Sequence, residues 1–93
     1  MAATASIQLR IAPAFPRLRC SACLDRAERY LRVEDWAAAE RELKKAHRWA
    51  RLAGVESAWQ IDEMAFQVYL FEEEPLRWRE WTPEIRRALA EAA

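Results

Sequence analysis

From Trp36 to Ala53 the apolar residues recur with the period of a helix, at Trp36, Ala39, Leu43, Ala46 and Ala50, and Arg41, Lys44, Lys45, Arg48 and Arg51 fall opposite them. At about 100° per residue the two sets centre nearly half a turn apart, so the stretch reads as a two-faced helix that needs a neighbour along its apolar side. Asp35 stands where an N-cap belongs and Gly54 where a helix stops. The neighbour lies just upstream. A first helix is predicted from about Ser21, its N-cap, to Val33, with Cys20, Leu24, Ala27 and Leu31 on one face and Cys23 and Tyr30 beside it. Only Val33-Glu34-Asp35 separates the two, which predicts a tight turn and an antiparallel hairpin. Ala27, Ala39 and Ala46 are small where the helices must touch.

The remainder continues in the same idiom. One glycine in 93 residues leaves little material for β-hairpins, and the chain is rich in Ala, Leu, Arg and Glu. A third helix is predicted from about Glu56 to Glu73, ending before Pro75. Beyond Ile61 it is apolar almost all round, Gln67 excepted. That composition predicts a buried helix covered on more than one side, with a second subunit a source of cover in so small a chain. Thr82-Pro83 is read as the cap and first turn of a short last helix carrying Ile85, Ala88, Leu89 and Ala92. The N-terminus differs. Ile7, Leu9 and Ile11 alternate with Gln8 and Arg10, the period of a half-buried strand. Such a strand must pair with Leu76–Trp81, with a second copy, or with another protein. Pro13 to Arg19 reads as a linker with Phe15 as an apolar anchor. The expected architecture is mostly α: a helical domain over residues 20–93, preceded by an extended or β N-terminal arm and linker over residues 1–19.

Counted from Cys20 as the first position of a thirty-four-residue unit, Ala27, Tyr30, Ala39, Leu43 and Ala46 fall at offsets 8, 11, 20, 24 and 27. These offsets, with the turn Val33-Glu34-Asp35-Trp36, resemble the tetratricopeptide repeat over Cys20 to Ala53. Cys23, Arg26 and Arg51 stand where that family has Trp, Leu and Pro, and no second repeat follows in register. The resemblance therefore implies one repeat-like (TPR-like) helical hairpin rather than an array, and a role in binding peptides or proteins.

Net charge is zero, but residues 1–52 carry eleven basic and six acidic side chains, and residues 53–93 carry four and nine. The halves are expected to neutralise each other within the fold or between copies, with a basic face for nucleic acid as the alternative. The basic stripe on the second helix reads as a solvated face. Cys20-Ser-Ala-Cys23 has the spacing of half a zinc site or of a thiol pair, and also of two small residues facing a core beside Leu24 and Ala27. Packing is the reading adopted, with no metal site. Arg41 and His47 have the Arg-x5-His spacing that resembles the motif of HEPN-type helical ribonucleases, where a basic residue steadies phosphate charge and a histidine handles the proton. The two lie about 120° apart around one helix, which favours a boundary histidine.

No run approaches eighteen apolar residues, so no membrane-spanning helix is expected. Two cysteines do not make a disulfide scaffold, which makes the cytoplasm the expected compartment. Trp78 and Trp81, interleaved with Arg77 and Arg79, suit cation–π stacking inside the fold or on a partner. The expected function is a non-catalytic protein–protein interaction or assembly subunit without a cofactor. Its partner is another protein or its own copy, met through Ile7, Leu9, Ile11, Trp78 and Trp81. A zinc-linked or nucleic-acid-associated regulator and a HEPN-like ribonuclease are the alternatives.

Overall fold

A computed structural model describes residues 14–91. Four helices occupy them: α1 (Ala14–Arg32), α2 (Trp36–Leu52), α3 (Ala58–Phe71) and α4 (Trp78–Glu91). No strand occurs among the described residues.

The linker expected at Pro13 to Arg19 and the N-cap expected at Ser21 are corrected: residues 14–19 belong to α1, and Ser21 lies inside it. Pro16 sits in the first turn, where its missing N–H costs the helix no bond. Phe15 meets Trp49 of α2 edge to face at 5.7 Å, and the Arg19 guanidinium lies 4.9 Å over the Phe15 ring. These contacts fix the two extra turns to the hairpin.

The hairpin turn forms where expected. Glu34 adopts a left-handed φ of 58°. Its N–H donates to the Leu31 carbonyl at 3.2 Å, and the Asp35 N–H donates to the Tyr30 carbonyl at 3.0 Å. This is a Schellman closure, which satisfies carbonyls that the helix end would otherwise leave open. The Asp35 carboxylate then accepts from the Ala38 N–H at 3.2 Å and caps α2. Gly54 closes α2 the same way at φ 77°, with Val55 N–H donating to the Ala50 carbonyl at 3.0 Å.

Helix α2 is the middle of the fold, packed between α1 and α3. Ala39, Leu43, Ala46 and Ala50 are fully buried. Their short side chains let backbones come close on both sides, and Leu43 is the one bulky residue among them. Cys20, Leu24 and Ala27 answer from α1, and Ile61, Met64 and Val68 from α3. One buried charge was not foreseen. Glu42 accepts from the Arg26 Nε–H at 3.1 Å, and Lys45 Nζ lies 3.6 Å from its other oxygen. This network ties α1 to α2 across the hairpin.

Helix α3 is shorter than expected at both ends. Glu72 takes a left-handed φ of 47°, which ends the helix at Phe71. Only Ala58, Ile61, Met64, Ala65 and Val68 are buried, so the helix is covered along one stripe rather than on several sides.

Helix α4 also departs from expectation. It begins at Trp78, one turn before Thr82, because Trp81 N–H donates to the Arg77 carbonyl at 2.8 Å and Trp78 N–H to the Pro75 carbonyl at 3.0 Å. Thr82 is therefore inside the helix, its hydroxyl donating to the Trp78 carbonyl, and not a cap. The strand considered for Leu76–Trp81 is absent for the same reason. Trp78, Thr82, Ile85 and Leu89 form the buried stripe. Arg86 pairs with Asp25 at 2.8 Å and Arg17 donates to the Leu89 carbonyl at 3.3 Å, so α4 runs antiparallel to α1.

Candidate protein-docking face

The buried stripe of α3 leaves the rest of an apolar helix in solvent. Trp59, Phe66, Tyr69, Leu70 and Phe71 are each at least half exposed, between 50% and 64%, and nearby Leu76 is 88% exposed. Trp59, Phe66 and Leu70 recur at helical spacing and face outward together. Tyr69-Leu70-Phe71 is a run of three exposed apolar residues, a pattern that soluble surfaces avoid unless it has a use.

Beside this row, α2 and α3 frame a groove of about 430 Å³. Trp59, Phe66 and Tyr69 line it from α3, and Glu40 and Lys44 line it from α2. Lys44 Nζ pairs with Glu40 at 2.9 Å, and this hydrogen bond raises the lysine above its ordinary pKa. Asp62 and Glu63 lie between the turns that carry Trp59 and Phe66, and both are exposed. Asp62 is 4.0 Å from His47 Nδ1; Glu63 forms no ion pair among the described residues.

The expected interface tryptophans lie at one edge. Trp78 is 4% exposed and belongs to the core. Trp81 is half-buried, meets Trp59 edge to face at 5.5 Å, and carries the Arg77 guanidinium 5.6 Å above its ring. The arginine–tryptophan stacking anticipated for this segment thus occurs within the fold. It holds Trp59 from the side. Ile7, Leu9 and Ile11 lie outside the described residues.

The other constellations are arranged as follows. Cys20 and Cys23 are buried in the core. Burial pushes the Cys20 thiol up to about 12 and raises Cys23 as well. Arg26 Nη2 lies 3.3 Å from Cys23 Sγ. Among the described residues no three His, Cys, Asp or Glu side chains gather in a metal-holding group. His47 is half-buried beside α3, and Arg41 is exposed. Arg41, Lys44, Lys45, Arg48 and Arg51 are all exposed, the solvated face expected of them.

A larger recess of about 880 Å³ opens where the α1–α2 turn meets α4. Eight of its thirteen lining residues are charged, interspersed with Leu31, Trp36, Trp78 and Pro83, and two of its arginines are engaged, Arg86 with Asp25 and Arg32 with Glu28. Exposed apolar surface, the feature that distinguishes docking faces, is concentrated on α3 instead. Among the described residues no helix is long and apolar enough to cross a membrane.

The aromatic row was only partly visible in the sequence. Its signal was a helix apolar nearly all round in a chain too small to surround it. No family model, curated protein or solved structure matches this chain.

Proposed function

We propose that this chain is a non-catalytic protein-interaction or assembly subunit, and that α3 is its docking face. The observation that carries the reading is the exposed row Trp59, Phe66, Tyr69, Leu70 and Phe71. Large aromatic residues held on a rigid helix bury much area at little entropic cost, which is why they dominate interface energetics. On this reading α1 and α2 act as a tetratricopeptide-like platform over Cys20 to Ala53 that holds α3 in place. Trp81 steadies the edge of the face through Trp59. Ile7, Leu9 and Ile11 of the N-terminal arm are proposed as a second contact.

The test is site-specific photo-crosslinking in the source cell. A photoreactive phenylalanine analogue replaces Phe66 in one variant and exposed Arg41 in a control. The reading expects a discrete protein adduct from position 66 and none from position 41. Equal labelling from both positions, or none from 66, overturns it.

A further inference from the structure

We propose that the occupant of the α3 face is an amphipathic helix of another protein, its apolar stripe flanked by lysine or arginine. The inference rests on the reading of α3 as a docking face and adds the chemistry of what docks there.

The argument is one of desolvation. Asp62 and Glu63 are interleaved with Trp59 and Phe66, so no apolar surface can cover the aromatic row without excluding water from these carboxylates. An ionised carboxylate taken out of water without a counter-charge is strongly disfavoured. The face supplies little of that counter-charge to Asp62 and, among the described residues, no ion pair to Glu63. From Glu56 to Glu74 the chain carries six acidic residues and no Lys, Arg or His. Lys44 on α2 is held by Glu40 at 2.9 Å and keeps only a weaker, longer-range attraction to Asp62. His47 reaches Asp62 only at 4.0 Å. The occupant must therefore bring the cations.

This requirement disfavours a second copy docked α3 against α3. A two-fold pairing presents the same patch to itself. It sets Asp62 and Glu63 against another Asp62 and Glu63, with no basic residue on either helix. A partner helix with Lys or Arg beside its apolar stripe meets both demands. Its apolar residues, at i, i+3, i+4 and i+7, fill the groove between α2 and α3, and its cations reach the carboxylates.

The test is a selection against the full chain with a displayed helix library. Leucine is fixed at the apolar positions, and the flanking positions are randomised among Lys, Glu and Gln. The inference expects enrichment of Lys over Glu at the flanks. A recovered peptide should then bind about tenfold more weakly to the Asp62→Asn, Glu63→Gln double variant at low salt, and raising the salt should remove that difference. Phe66→Ser, at a site 58% exposed and so compatible with folding, should abolish binding. Three results overturn the inference. Phe66-dependent binders without a lysine preference refute the basic partner and leave the docking face standing. A wild-type dimer in sedimentation that Phe66→Ser dissociates makes the occupant a second copy. No Phe66-dependent binder at all removes both the inference and the docking face it rests on.

Discussion

Leu43 is the residue whose loss the fold should tolerate least. It is fully buried at the middle of α2, the helix packed on both sides. Leu43→Ala removes three carbons, worth about 2.4 kcal/mol of transfer at about 0.8 kcal/mol each. The void adds to that. The α2 neighbours on the same face are Ala39, Ala46 and Ala50, and an alanine has no rotamer that swings into a hole. A residual cavity of about 50 Å³ then costs about 1.2 kcal/mol more at about 24 cal/mol per Å³. The expected loss is about 3.5 kcal/mol, out of roughly 5–9 kcal/mol for a chain of this size. Urea unfolding followed by tryptophan fluorescence measures it. With an m-value of about 1–1.5 kcal/mol per M, the midpoint should fall by about 2–3.5 M. Leu52→Ala, on the same helix but 68% exposed, is the control and should lie within about 0.5 kcal/mol of wild type. A loss below about 1.5 kcal/mol for Leu43→Ala would refute the picture of a rigid slot and mean that α1 and α3 collapse onto the gap.

Further outcomes follow from the caps and the thiols. Asp35→Ala deletes the bond to the Ala38 N–H, and should lower stability by about 1 kcal/mol in the same urea assay. Glu72→Gly relieves a non-glycine residue at φ 47° and removes a carboxylate from the negative end of α3, so it should raise stability by about 0.5–1 kcal/mol; a fall would show that the Glu72 side chain has a stabilising contact. Cys20 stays protonated in the fold up to about 12 but ionises near its ordinary value of 9.0 when unfolded. The unfolded chain therefore binds fewer protons between those values, so the Cys20 contribution to stability should decline as pH rises through that window and be constant below it. Cys20→Ala should lessen the decline in an alkaline titration of the urea midpoint, leaving the part due to Cys23, which burial also raises. Iodoacetamide should label neither Cys20 nor Cys23 in the folded chain at neutral pH, with mass spectrometry showing full labelling only in denaturant.

From Leu31 onward the hairpin was legible because the local signals agreed. Asp35 as cap, Gly54 as stop, the period of Ala39, Leu43, Ala46 and Ala50, and the tight turn after Val33 all point to one arrangement, and the structure has them. Failures came where a residue type permits two environments. Pro16 falls in a stretch that reads as a linker, yet a first turn accepts it, and the tertiary contact of Phe15 with Trp49 favours the helix. Thr82-Pro83 has the form of a cap pair, yet Trp78, Thr82, Ile85 and Leu89 bury as one stripe and draw the helix start back a turn. Glu42 has no sequence signal that marks it as buried, and only the fold brings Arg26 to it. The α3 face was half visible. The sequence shows too much apolar surface on one helix, but not which side α2 and α4 leave open.

Radical footprinting of the side chains of α3 tests the docking face most directly. Trp59, Phe66 and Tyr69 should be oxidised readily in the purified chain, at rates set by exposures of 57%, 58% and 64%. In the complex recovered natively from the source cell, the same three should be protected severalfold, while Leu18 and Leu52, exposed on the other helices, keep their rates. Unchanged reactivity at Trp59, Phe66 and Tyr69, with protection elsewhere on the molecule, would place the partner off α3 and contradict the account.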